Sequence, residues 1–411
     1  MSAKKGLYLS SLLIAYNFFV WIIVLSTFLQ KNLLSSGCKK YLVLKNRLSI
    51  NDFTPKKIKR LWIHAASLGE VKMLTNLMPH LKENHIIISV NTETAYQFVE
   101  NKFPRSAVVF TPLDSQKIIK KYIKDWNISK VIYIENEIMP NSLETLKKQK
   151  IPIHIVGLRK SKSRLRLPGV YSYFFSYFTS IGCSSDSVYN EVANMPLPLS
   201  KIFFDGSLKI DISKQNIPIK NRSKNKLNKQ FFIAVSTHPE DELILIDSIK
   251  ALNKVPKDIR FIIAPRHKNR VPKLIKKLKK NNLRCKEIFS RDEFNQNEKL
   301  VYVLNYFGDM DFYYSIANYV YIGGGIGHRG GHNPLEVAIY KLPILSGKNV
   351  HNWRDEYELL AASGLVYSVD SAGAIINHME GLFTSSDHND NQINLGDFIA
   401  EPSKIIKRVM S

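Results

Sequence analysis

Residues Tyr319–Leu345 read YVYIGGGIGHRGGHNPLEVAIYKLPIL, and the fold turns on this stretch. An apolar β-rich run, Tyr319–Ile322, empties into the glycine-rich turn Gly323–Gly331. Asn333 then offers a helix cap, and Pro334 suits the first helical position. Glycines let a backbone approach a ligand closely, and a helix N-terminus presents unpaired N–H groups carrying partial positive charge. The pattern predicts an anion pocket at the carboxyl end of a strand, where open α/β sheets hold their ligands. An ordinary strand–loop–helix turn would share the backbone. The crowding of Arg329, His332, Asn333 and Glu336 into the same turn favours binding.

On either side of this stretch the chain repeats one grammar. The first half offers LWIHAAS, HIIISVNT, AVVFTPLD, VIYIENE, IPIHIVG and SIGCSS as buried strands, with LGEVKMLTNLMPHLKEN and SQKIIKKYIKDW as helices between them. A polar, basic stretch, Lys214–Gln230, reads as a linker. A second set follows it: FFIAVST, RFIIAPRH, KLVYVLNYF, NYVYIGG, LPILSG and LVYSV. Short apolar runs separated by helices predict parallel α/β sheets. Two sets of similar length predict two doubly wound Rossmann-like domains facing a cleft. The expected division is an anchor over 1–35, a first domain over 36–213 and a second over 214–411, with a return helix at Pro402–Met410.

The chain has 411 residues, too many for one core and suited to two domains plus a tail. Lys+Arg outnumber Asp+Glu by 59 to 35, and the resulting charge of +24 predicts attraction to a polyanion: nucleic acid, an anionic lipid surface or phosphorylated substrates. Cys38, Cys183 and Cys285 are far apart and form neither a metal spacing nor a disulfide framework. From Gly6 to Gln30 there is no charge, and the run is long enough to cross a bilayer. Lys4 and Lys5 precede it, while Lys31, Lys39, Lys40, Lys45 and Arg47 follow. The heavier positive flank predicts a single anchor in the cytoplasmic membrane with the body on the cytoplasmic face. A cleaved signal fits less well, because the apolar core is long and no A-x-A site follows; Ser36-Gly37-Cys38 only faintly matches a lipoprotein box.

Polar residues cluster just past the strands. After LWIHAAS, Ser67 and Gly69 make a turn, and Glu70 falls in the first turn of the next helix. There the dipole should keep it ionised and suit it to deprotonate a hydroxyl, although a Glu also favours such a turn without any catalytic role. Glu135 and Glu137 lie on one side of an extended strand end, and His64 reads equally as a site residue or a core histidine. In AVSTHPEDE, Ser236 or Thr237 is the expected cap before Pro239. Arg266 and Arg270 follow a strand ending at Ala264 and suit a carboxylate or phosphate. Asp309 and Asp311 form a D-x-D pattern, read as a helix cap and not as a metal site.

Taken in order, WIHAASLGE, TPLDS, IENEIMPN, GSLKID, STHPEDE, APRHKNR, GDMDFYY and GGGIGHRGGHNPLE resemble one family, the bacterial 3-deoxy-D-manno-octulosonic acid (Kdo) transferases of lipid A biosynthesis. Each segment is modest; the ordered series is specific and covers nearly everything after the anchor. The resemblance implies a membrane-anchored GT-B fold that transfers Kdo from CMP-Kdo with inversion, using no metal or other cofactor. It makes Glu70 the catalytic base and matches Glu135 and Glu137 to an E-T-E pair, with Asn136 in place of Thr. It implies that Arg266 holds the donor's carboxylate or phosphate, that Met310 lines the cytidine pocket, and that Asn333 and Glu336 bind the nucleotide. Thr237, Gly330, Gly331 and His332 fall in the same donor-binding segments, and Lys209 matches a lysine near the interdomain cleft. Two departures stand out. An N-A-R-L-S segment appears as Gly157-Leu158-Arg159-Lys160-Ser161, and V-G-G-S becomes Ile322-Gly323-Gly324-Gly325.

The expected partners are therefore CMP-Kdo, the acceptor lipid IVA and an anionic membrane surface, with no nucleic acid. A GT-B transferase using another activated sugar would keep the fold and the glycine loop. A basic membrane-associated nucleic-acid binder would need aromatic residues interleaved with basic ones, and that pattern is missing here.

Overall fold

The computed structural model describes residues 3–33, 39–48, 58–82, 85–209, 229–253, 258–306, 308–384 and 400–411. Residues 214–228 of the expected linker and the Ser36-Gly37-Cys38 box lie outside these. Met1–Lys209 and Gly396–Ser411 make up one compact unit, and Ile210–Leu395 a second.

In the first unit the strands are β1 Arg60–His64, β2 Ile86–Val90, β3 Ala107–Phe110, β4 Ile128–Ile134, β5 Ile153–Leu158, β6 Ser180–Cys183 and β7 Ile202–Phe204. They form one parallel sheet in the order β3-β2-β1-β4-β5-β6-β7. The order reverses between β1 and β4, the switch point at which ligands enter doubly wound sheets. Both faces are covered, so the strands are apolar throughout instead of alternating with polar residues. Trp62, Ile87 and Tyr133 point into one core. Leu61, Ile63 and Ile88 point into the other, as the two-residue strand period requires.

The helix Leu68–Leu77 buries Val71, Leu74 and Leu77 on that second face. It gives way to a short 3-10 turn at Met78–His80, because Pro79 has no N–H to continue the ladder. The chain's last helix, Pro402–Met410, packs on the same core through Ile405, Ile406 and Val409. Its Arg408 pairs with buried Asp205 just past β7 and stacks 4.5 Å over Phe203. The return helix thus belongs to the first unit, although its sequence follows the second.

The second unit holds β8 Lys229–Thr237, β9 Asp258–Pro265, β10 Cys285–Ile288, β11 Val301–Leu304, β12 Tyr319–Ile322, β13 Ile344–Ser346 and β14 Val366–Ser368. These are again parallel, ordered β10-β11-β9-β8-β12-β13-β14, with the reversal between β8 and β12. Two units of doubly wound sheet, each with seven strands, give the expected α/β class of GT-B type. Each sheet has one strand more than the sequence suggested, β7 and β10, both at sheet edges. Ahead of them the apolar helix Ala3–Asn32 is the one helix among the described residues that is long and apolar enough to cross a membrane.

Candidate functional site

At the switch point of the first sheet, the ends of β1, β2 and β4 bring three carboxylates and a histidine together. Ser67 caps the helix Leu68–Leu77 and accepts from the Glu70 N–H. The Glu70 carboxylate takes the Ala66 N–H at 2.6 Å and the Ser67 hydroxyl at 3.1 Å. Its side chain is half-buried, not enclosed. Burial and then the neighbouring Glu135 push its pKa above the ordinary carboxylate value, against the pull of these hydrogen bonds and of His64. The sequence expectation of a carboxylate eased toward ionisation by the helix dipole is therefore corrected. The local donors are outweighed by lost water and a like charge, and the result is a stronger proton acceptor.

His64 is completely buried. Trp62 Nε1–H donates to Ser89 Oγ at 2.8 Å, and Ser89 Oγ lies 2.8 Å from His64 Nδ1. With Ser89 donating to Nδ1, the imidazole hydrogen sits on Nε2, which faces Glu137 Oε2 at 3.3 Å. Asn91, at the end of β2, donates to the other oxygen of Glu137 at 3.3 Å. Burial opposes the charge of Glu137, but His64, Asn91 and Arg47 together hold its pKa below the usual value. Two neighbouring carboxylates are thus pushed in opposite directions, the pattern that separates a proton acceptor from a fixed anion.

Glu135 adopts a left-handed φ of 62°, a conformation that costs an L-residue about 1–2 kcal/mol. Its N–H still donates to Val156 O at 3.0 Å, and its carboxylate meets Lys209 Nζ at 2.8 Å. Lys209 is thereby placed as the partner of Glu135. Asn136, between the two acids, accepts from the Arg159 N–H at 3.2 Å and from Arg164 at 3.4 Å. Arg164, only 1% exposed, also donates to Glu191 at 2.6 Å and to the Arg159 carbonyl at 2.8 Å. The departure at Asn136 therefore meets Arg159, which is kept in the altered segment Gly157–Ser161, a contact invisible in a linear reading. Asn91 was missed as well, its only signal being a polar residue directly beyond a buried strand.

The second site sits at the other switch point, past β8 and β12. The helix Pro239–Leu252 is capped by His238, not by Ser236 or Thr237. Thr237 is the last residue of β8 and fully buried, so it forms the wall under the loop and not its surface. Asp241, completely buried, accepts from the His238 N–H at 2.9 Å, the Gly324 N–H at 2.8 Å and the Tyr321 hydroxyl at 2.8 Å, and so fastens the glycine loop to this helix. Gly330 and Gly331 have φ of 86° and 75°, and a Cβ on Gly330 would strike Asn352 and His351. Glycine is required there for both reasons.

His332 stacks on His238, and burial followed by Arg266 pushes its pKa down to about 4. Arg266 is exposed, whereas Arg270 is taken by buried Glu242 at 2.6 Å. The helix expected after Asn333 is a single turn, Leu335–Ala338. Asn333 Oδ1 accepts from the Leu335 N–H at 3.0 Å, and Glu336 is exposed. One turn carries little macrodipole, so the positive charge at this loop is that of exposed Arg266 and Arg329. Met310 opens the helix Met310–Ile316, whose Asp311 accepts from Tyr340 at 2.8 Å. Burial, and after it the charges of Glu336 and Asp311, push the pKa of Tyr314 in this helix up.

A family profile described as 3-Deoxy-D-manno-octulosonic-acid transferase (kdotransferase) matches residues 43–212. The 3-deoxy-D-manno-octulosonic acid transferase of Rickettsia bellii is 26% identical over 388 residues, covering 88% of this chain and 89% of the relative. That of Haemophilus influenzae is 27% identical over 351 residues, 82% of each chain. Among solved structures, a UDP-GlcNAc 2-epimerase from Neisseria meningitidis superposes with a TM-score of 0.60 at 16% identity, over 86% of this chain and 99% of its own. A glycosyltransferase from Rickettsia africae gives 0.57 at 14%, over 87% and 99%. An epimerase and a transferase sharing the fold show that architecture does not select the reaction.

Proposed function

We propose that the chain is a 3-deoxy-D-manno-octulosonic acid transferase, as the matching profile and relatives suggest, and that it moves Kdo from CMP-Kdo to a hydroxyl of lipid IVA, a phosphorylated and acylated glucosamine disaccharide, at the cytoplasmic face of a membrane. The observation that carries this reading is Glu70: a half-buried carboxylate with a raised pKa at the switch point of the first sheet. The acceptor oxygen attacks the anomeric carbon of Kdo as its proton passes to Glu70. The bond from that carbon to the phosphate oxygen breaks, and CMP leaves with the electron pair. Glu137, locked by His64 and Asn91, stays anionic and orders the acceptor side. The Glu135–Lys209 pair completes that wall.

In the second unit, exposed Arg266 is available for the donor's carboxylate or phosphate, and the turn at Gly330, with His332, for the phosphate, while the Gly331 N–H holds the loop closed on Gly324 O. Glu336 is exposed for ribose hydroxyls, and Met310 opens the neighbouring helix as a base-facing apolar side chain. No step uses a metal ion. The net charge of +24 favours an anionic surface and a phosphorylated acceptor.

The test is to incubate the full-length protein with lipid IVA and either CMP-Kdo or UDP-sugars and to weigh the lipid by mass spectrometry. Addition of Kdo from CMP-Kdo alone supports the reading. Transfer from a UDP-sugar with none from CMP-Kdo would replace it by that of a GT-B transferase with another donor.

A further inference from the structure

The apolar helix Ala3–Asn32 is not free of the first unit. The Tyr16 hydroxyl donates to Asp114 Oδ2 at 2.6 Å. Asp114 also accepts the backbone N–H groups of Asn141 and Ser142 at 3.0 and 2.7 Å, so it is built into the domain. Leu13 packs on the core around Trp62, while Val20 and Thr27 are each only 8% exposed. Leu13, Tyr16, Val20, Val24 and Thr27 recur every three or four residues and trace one stripe along the helix. Outside that stripe Ile14, Phe18, Trp21, Ile22, Leu25 and Phe28 are between 44% and 70% exposed. The helix is apolar on both sides, so its sequence gave no amphipathic signal; the domain covers one side.

Length then decides the geometry. Tyr16 is held beside the irregular backbone around Asp114 and the first turn of the helix Pro140–Lys148, and that irregular backbone cannot sit exposed in hydrocarbon. The uncharged run ends at Gln30, which leaves roughly 14 residues or about 21 Å beyond Tyr16, short of the ~30 Å hydrocarbon core. The stretch before Tyr16 is shorter still. We propose that this helix does not cross the bilayer but lies along its surface, docked lengthwise on the first unit, with the Ile14–Phe28 face sunk into the acyl boundary of an anionic phospholipid leaflet. Beside it, the helix Gln116–Trp126 begins with exposed Lys117, followed on the same side by Lys120 and Lys124, which suits anionic headgroups. The inference rests on the reading that the protein works at a membrane.

Spin labels at Ile14→Cys, Phe18→Cys, Ile22→Cys and Leu29→Cys test it, in full-length protein with Cys38, Cys183 and Cys285 replaced by alanine. The protein is bound to phosphatidylethanolamine–phosphatidylglycerol liposomes, and depth is read from collisions with oxygen and a nickel chelate. A surface helix places all four labels at one shallow depth. A depth that peaks near Phe18 and declines toward Leu29 would overturn the surface geometry and leave the membrane reading standing. No association with the liposomes would overturn both.

Discussion

His238 and His332 stack with ring centroids 5.2 Å apart and their Nε2 atoms at 2.9 Å, so a single hydrogen lies between the two rings. Protonating both would set two N–H groups against each other. Burial, with Arg329 beside His238 and Arg266 beside His332, pushes both pKa values from 6.5 to about 4. A phosphate arriving at this loop favours the charged form and raises those values. Nucleotide binding should therefore take up protons, and CMP affinity should rise as pH falls from about 6.5 toward 4. Calorimetry of the wild type against His332→Gln separates this from titration of the nucleotide itself; identical pH profiles for the two proteins would show that the pair takes no part.

Asp114, whose pKa is shifted in the opposite direction, supplies a stability test. Burial raises its pKa from 3.8 to about 6, against the hydrogen bonds from Tyr16, Asn141 and Ser142. The folded state therefore holds a proton that the unfolded chain has lost, and the associated stability is present below pH 3.8 and lost as pH rises through 6. A shift of this size corresponds to about 3 kcal/mol. Chemical denaturation should show the wild type gaining on Asp114→Asn between pH 7 and pH 5, and parallel curves would refute the assignment.

Glu137 runs the other way. Its pKa is held below the ordinary value, so its contribution is present above that value and is lost as pH falls through the depressed one. Glu137→Gln should flatten the acid limb of the stability curve below pH 4.5. His64→Ala should do the same, since the imidazole is the main group opposing burial. An unchanged acid limb in both variants would dissociate the pair.

Arg164 and Glu191 are 1% and 14% exposed, and the arginine also ties Asn136 to the Arg159 carbonyl. Arg164→Met leaves Glu191 without its partner and should cost about 3–5 kcal/mol in urea unfolding. The double variant Arg164→Met, Glu191→Leu should recover part of that loss. A double variant as unstable as the single one would mean that the network around Asn136, and not the ion pair, dominates.

Much of this was legible in the sequence because parallel strands covered on both faces leave unbroken apolar runs. HIIISV and NYVYI declare themselves for that reason. The edge strands did not: β7 is IFF and β10 is CKEI, short and partly exposed, so no buried run marks them. Glu135 and Glu137 were found because they stand directly after such a run, and Glu70 because it opens the helix that follows one. What each does was not legible, since the opposed pKa shifts of Glu70 and Glu137 depend on burial, His64, Glu135 and Asn91 across three strands. His238 displaced Thr237 as cap because β8 extends two residues, Ser236 and Thr237, past its apolar run. The helix after Asn333 stops after one turn, at Ile339, which no breaker residue announces.

Proton transfer to Glu70 is tested most directly by single-turnover rates of Glu70→Gln with CMP-Kdo and lipid IVA. Because burial and Glu135 disfavour the ionised form, removing the charge should leave the fold melting at or above the wild-type temperature at pH 7. Donor binding should persist, and the chemical step should slow by about 10²–10⁴-fold, the usual contribution of a positioned base. Wild-type-like turnover by the folded variant would contradict the account.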